Sequence, residues 1–150
     1  MEGNNMRLFQ ELNKATLLTK VAGELLAYCA KSEDKNIRSK VILFERDEDL
    51  DELVNDTCWE IRREVALVGR MEDLEILVND VDDRVREAVA IAAVDVHNNK
   101  RYFDKLVKDK SWIVRCAVAE SGIDKYLQLL KDDRNEAVRE TVAYYLESNE

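Results

Sequence analysis

The chain repeats itself, and the period of that repeat limits its possible folds more than any other feature. Leu53-Val54-Asn55-Asp56, followed by Ile61-Arg62 and Val65-Ala66, returns as Leu77-Val78-Asn79-Asp80 with Val85-Arg86 and Val89-Ala90. It returns again as Leu106-Val107-Lys108-Asp109 with Val114-Arg115 and Val118-Ala119, then as Leu130-Lys131-Asp132-Asp133 with Val138-Arg139 and Val142-Ala143. The copies are 24, 29 and 24 residues apart. A period this short leaves room for one supersecondary unit per copy. Ile37-Arg38 and Val41-Ile42 carry the register one period upstream, where Leu17-Leu18 reads as a degenerate first copy.

Within a copy, Ile61, Val65 and Val68 fall at i, i+4 and i+7, one face of a helix that opens near Cys58 or Trp59. The column at its start holds Cys58, Asp82, Ser111 and Asn135. In the last three, a side-chain oxygen is suited to accept from the free amides of the first turn. The shorter segment before it, such as Asp73 to Val78, presents Leu74, Leu77 and Val78 for a second, briefer helix. The chain has no proline and only four glycines, so few breakers interrupt this pattern. A helix–turn–helix unit cannot bury its apolar stripe alone, so neighbouring units must stack. The expected fold is therefore all-α, a solenoid of about 24-residue helical repeats in a single domain spanning residues 1–150. Residues 1–36 are expected to form an N-terminal cap and degenerate repeat, residues 37–146 the repeats, and residues 147–150 a polar tail.

Asp56 and Arg62, Asp80 and Arg86, Asp109 and Arg115, and Asp133 and Arg139 are each six residues apart. That spacing puts the acid in the turn and the base early in the second helix. Stacking then sets each Arg near the Asp of its own or an adjacent copy, where a guanidinium can fork across carboxylate and turn groups together. A structural ladder is the expected role.

The turn Asp, and the Val before the Arg, resemble the HEAT repeat. The short period is similar to the leucine-rich repeat variant group, whose units follow a pattern near D-P-D-W-E-V-R-x-x-V-A. Asp56-Thr57-Cys58-Trp59-Glu60-Ile61-Arg62-Arg63-Glu64-Val65-Ala66 resembles it, as does Asp109-Lys110-Ser111-Trp112-Ile113-Val114-Arg115-Cys116-Ala117-Val118-Ala119. The resemblance covers residues 37–146. It implies a right-handed α-solenoid that binds protein across a concave face, with helical-repeat DNA glycosylases and bilin lyases as minority activities. No copy carries the proline of that pattern, and the cysteines are not clustered as an iron–sulfur member would need, so no cofactor is expected.

Charge and composition exclude other classes. The formal net charge is -9, which opposes nonspecific nucleic-acid binding, since that affinity comes from neutralising phosphates. Residues 37–99 hold eight basic and seventeen acidic side chains, a difference of nine, while the two flanking segments balance. The excess is central. The apolar stretch from Leu17 to Ala30 is broken by Lys20 and Glu24, so it reads neither as a secretory leader nor as a membrane span. Cys29, Cys58 and Cys116 are odd in number and far apart, which fits ordinary thiols in a reducing cytoplasm.

Catalytic and metal-binding patterns are absent: one histidine, no Gly-rich phosphate loop, no Cys-x-x-Cys and no His-Glu-x-x-His. His97 lies in Val96–Tyr102, where the repeat gains five residues; this is either a functional loop or tolerated surface variation. Trp59 and Trp112 share a column, suited to packing over the turn or to anchoring a partner. On the second helices, Leu67, Ile91, Glu120 and Tyr144 form one column beside Arg63, Glu87, Cys116 and Glu140. Arg63, Leu67, Glu87, Ile91, Glu120, Glu140 and Tyr144 are the expected partner-binding residues; Leu67 and Ile91 alternatively extend the core. Glu45, Asp47, Glu48, Asp49, Asp51 and Glu52 form an acidic run, either a solvated helix start or a patch for a basic protein surface. These features point to a non-catalytic scaffold or adaptor that binds protein. The second reading is an acidic inhibitor mimicking nucleic acid, of the phage anti-defence type; glycosylase or lyase activity stands third.

Overall fold

The structure describes residues 2–94 and 100–147, with side chains from residue 16 onward. In this computed structural model they form ten α-helices and no strand. These are α1 (Glu2–Ala30), α2 (Lys35–Ile42), α3 (Asp47–Leu53), α4 (Trp59–Val68), α5 (Met71–Leu77), α6 (Asp83–Ala92), α7 (Lys100–Leu106), α8 (Trp112–Glu120), α9 (Asp124–Leu130) and α10 (Glu136–Glu147). They pair as five helix–turn–helix units. The second helices α2, α4, α6, α8 and α10 pack side by side in chain order. Each first helix from α3 onward lies against the second helix of its own unit and that of the unit before.

The packing follows from the repeated apolar columns. Ile61, Val65 and Ala66 of α4 are buried, as are Val85, Val89 and Ala90 of α6 and Val114, Val118 and Ala119 of α8. First helices contribute Leu50 and Leu53, Leu74 and Leu77, Phe103 and Leu106, and Leu127 and Leu130 to the same core. Helices of only seven residues are marginal in isolation, so this shared burial is what holds them. Val68 is only partly buried.

The helix starts agree with the expected column, but the capping chemistry is more varied. Asp82 accepts from the Arg84 amide and Asn135 from the Ala137 amide. Ser111 occupies the same place without capping, because its hydroxyl donates to Asp83 in the preceding unit at 2.7 Å. The Cys58 thiol donates to Glu60. At the other end, Gly69 closes α4 with φ 83°, and Gly122 follows α8 with φ 67°. Glycine meets no Cβ penalty in that left-handed conformation, whereas Glu45, in the corresponding column, adopts it with φ 49°.

The first unit differs from the expectation. Leu17 and Leu18 are exposed; among the described side chains of α1, those that reach the core are Leu26, Cys29 and Ala30. These lie 24 residues before Leu50, Leu53 and Val54, so the degenerate copy is in register, nearer the end of a long helix. Asp95–Asn99, including His97, lie outside the described residues. The remainder of the lengthened segment, Lys100 to Tyr102, begins α7, and Tyr102 is buried with its hydroxyl donating to the Met71 carbonyl.

The Asp–Arg columns form a continuous ladder between units. Arg62 donates through Nε and Nη2 to both oxygens of Asp80, at 2.6 and 2.9 Å. Arg38–Asp56, Arg86–Asp109 and Arg115–Asp133 repeat this fork. The Nη1 of each Arg turns back to its own unit's turn, as when Arg86 donates to the Asp80 carbonyl at 2.7 Å. Each Asp also accepts from the amide two residues on, which fixes the turn. Arg86 and Asp109 are 7% and 10% exposed at their side chains, so removing one partner strands a shielded charge. Arg86→Ala should destabilise the fold by about 3 kcal/mol. Urea unfolding checks this; a midpoint equal to that of the parent chain would leave the ladder without energetic weight.

Candidate functional site

The expected partner-binding residues share the exposed side of the second helices. Leu67 on α4 and Ile91 on α6 are each 41% exposed, and Tyr144 on α10 is 65% exposed. They therefore do not simply continue the core. Leu43, one period before Leu67, extends the apolar column and is more exposed still. Leu43 and Leu67 border a cleft of about 300 Å³ together with Ser39, Ile42, Glu45, Glu64 and Val68. Tyr144 meets Tyr145 edge-on, with ring centroids 5.2 Å apart.

Beside these, Arg63 and Glu87 are half-buried, while Glu120 and Glu140 are exposed. Burial raises the Glu87 carboxyl above its ordinary range; Glu120 and Asp83 add to the effect and Arg63 opposes it. Cys116 fills the corresponding place on α8, where it is buried, accepts from Thr141 of α10, and has its thiol pushed up by desolvation.

The acidic run is not one patch. Asp49, expected at the surface, is buried, because it faces inward with Leu50 and Leu53 at the start of α3. Its partner is Arg46, three residues earlier, at 3.5 Å. One period on, Arg70 forks onto buried Asp73 at 2.8 Å for both bonds, and also reaches back to Asp47 and Asp51. Glu48 lies 3.6 Å from Arg46, and Glu52 lies 3.8 Å from Lys31. Glu45 is exposed. The recurrence of Arg-x-x-Asp at 46–49 and 70–73 was the signal for this second set of ion pairs. Tyr102 and Tyr126 take over the Asp column in later units; Tyr126 donates to the Lys100 carbonyl and to Asp104.

The tryptophan column divides. The Arg84 guanidinium sits 3.4 Å from the Trp59 ring centroid and is itself held by Asp82. Trp112 has Ala137 in the place corresponding to Arg84 and is 46% exposed. Near the start of the array, Lys35 and the Cys58 thiol both donate to Glu60; the thiol bond and then the Lys35 bond hold that carboxyl at about 2.

Among the described residues, no group of three or more His, Cys, Asp or Glu side chains is arranged to hold a metal ion. No helix there is long and apolar enough to cross a membrane. Compared with models of known protein families and with curated protein sequences, the chain matches none.

Two outcomes follow from the ionic groups. Arg70→Ala removes the counter-charge of buried Asp73 and should cost about 3 kcal/mol by chemical denaturation; an unchanged midpoint contradicts the arrangement. The pH dependence comes from Asp133 and Asp109. The Arg115 hydrogen bond lowers the Asp133 carboxyl, and Asp109 is lowered by Arg86 and the Ser111 amide despite burial working against ionisation. A depressed folded-state value gives stability that is complete above the unfolded value, near 3.9, and that is lost as pH falls through the folded value. Melting temperature should therefore decline below about pH 4, and Asp133→Asn should shrink the decline. A melting temperature flat to pH 2 would contradict this.

Proposed function

We propose that the chain is a right-handed α-solenoid of HEAT-like repeats that binds a protein partner through the face carrying Leu67 and Ile91, without catalysing a reaction. The observation that carries this reading is the incomplete burial of large apolar side chains in one column of successive second helices. Their counterparts in the columns facing the core are almost wholly buried. Exposed apolar side chains with charged neighbours supply the centre and rim of an interface. Arg63, Glu87, Glu120 and Glu140 would set orientation and selectivity. The side-by-side second helices, with the first helices behind them, support assigning this face as the concave one.

Mimicry of nucleic acid by the acidic run is less well supported. A phosphate-like surface needs unpaired, outward carboxylates; here Asp49 is inside, while Asp47 and Asp51 are bound by Arg70.

The test compares the parent chain with a Leu67→Ser, Ile91→Ser double variant, using affinity capture with quantification and titration of the captured partner. The variant should bind at least about tenfold more weakly, as expected for losing central apolar contacts, with its melting curve retained. Binding should persist in high salt, because an apolar interface is less screened than a mimicked phosphate backbone. Equal binding by the double variant, or a partner displaced by DNA or RNA, would overturn the proposal.

A further inference from the structure

Stacking sets the starts of the second helices in a row, and one indole in that row lacks the cover its counterpart has. Trp59 opens α4, and Arg84 of the next second helix lies over its ring at 3.4 Å, steadied by Asp82 at 2.7 Å. Trp112 opens α8 in the same column. The following helix offers Ala137 in the place of Arg84, so the indole is 46% exposed. Among the described residues no cation lies over it.

The surroundings of the two rings also differ in charge. Register around α8 is fixed by the Arg115–Asp133 fork, by Ser111 donating to Asp83 and by Thr141 donating to the Cys116 sulfur. It sets Asp83 and Glu136 in the row of Trp112, on the helices at either side. One helical turn further on, Glu87 and Glu140 flank Cys116. These places hold four carboxylates and one thiol, with no lysine or arginine, whereas the places around Trp59 include Lys35 and Arg63. Glu87, Glu136 and Glu140 make no hydrogen bond or ion pair with any described residue. A helix start disfavours a cation through its dipole, yet Arg84 lies at one, where an indole face and a carboxylate act together.

We propose that Trp112 and the carboxylates around it seat an arginine side chain of the protein partner, its guanidinium lying on the indole and donating to Glu136 or Glu140. This rests on reading the second-helix face as protein-binding, and it gives the partner a basic segment beside whatever covers Leu67 and Ile91. Charge complementarity defines the occupant, and Trp59 with Arg84 displays the contact within the molecule. Arginine fits better than lysine because its planar cation stacks on an indole and forks to a carboxylate at once. A nucleic-acid base can also stack on an open indole, but its phosphates would meet the four carboxylates.

The test titrates the full chain with a short Gly/Ser peptide carrying one central arginine, and with its lysine and citrulline counterparts, while the indole N–H resonances are followed by NMR. Trp112→Phe assigns the Trp112 signal. The arginine peptide should move that signal saturably and leave the signal of Trp59, already covered, in place. The lysine peptide should bind at least about threefold more weakly, and the citrulline peptide should give no saturable shift. Glu136→Gln combined with Glu140→Gln should weaken arginine binding by at least about threefold, with the melting curve retained. The Leu67→Ser, Ile91→Ser variant should keep arginine binding within about twofold, so failure of this seat and failure of the apolar face are read separately. Movement of the Trp59 signal instead, equal binding by the lysine or citrulline peptide, or unchanged affinity in the Glu136→Gln, Glu140→Gln variant would overturn the proposal. So would a saturable Trp112 shift with a single-stranded oligonucleotide.

Discussion

The fork between each Arg and the next unit's turn Asp is the interaction on which the rest of the architecture depends. It joins three requirements in one side chain: the Arg orders its own turn through a carbonyl, fixes the adjacent turn through a carboxylate, and sets the register between two second helices. Hydrophobic burial supplies most of the stabilisation of such helices, but it is non-directional. Columns of Val, Leu and Ala would tolerate sliding or rotation of one unit on the next. A bidentate ion pair with fixed donors does not, so the ladder turns a set of sticky helix pairs into a defined array.

That division of labour explains the exposed surface. Once register is set by the turn, the outward columns of the second helices are released from structural duty. They carry Leu67, Ile91 and Tyr144 in some units and Glu120 in another with no change in the packing behind them. Ser111 stays at the start of α8 but bonds Asp83 across units instead of capping its own helix.

The main architecture was legible because it is periodic. Columns repeated at 24 residues identify the core and the ladder without any knowledge of coordinates, and they extend to Arg38–Asp56, where the rest of the first copy is degenerate. What could not be read depends on direction. Spacing alone allows each Arg to pair within its own unit or with a neighbour, and only packing decides for the neighbour. The acidic run is the clearest failure. Counting charges along residues 45–52 merges side chains that a helix sends to different sides, so buried Asp49 was grouped with exposed Glu48. The first unit misled for a related reason: the apolar pair Leu17-Leu18 is more conspicuous than Leu26, Cys29 and Ala30, and both sets keep the period, although Leu17 and Leu18 are exposed while the other three reach the core.

The second set of ion pairs shows how a repeat can change chemistry while keeping geometry. Arg70–Asp73 and Arg46–Asp49 occupy first-helix positions that later units give to Tyr102 and Tyr126. A buried carboxylate requires a counter-charge, whereas a buried tyrosine needs only a hydrogen-bond acceptor for its hydroxyl. The central units thus hold Asp49 and Asp73 on the inside, each matched by an Arg, and part of the acidic excess of residues 37–99 is structural. Arg70 is the point where the two roles meet. By drawing Asp47 and Asp51 from the neighbouring helix onto the guanidinium that neutralises Asp73, it converts a run of like charges into a tie between units. Asp47 and Asp51 keep 79% and 68% of their side chains exposed while they reach Arg70, so these two charges remain part of the surface.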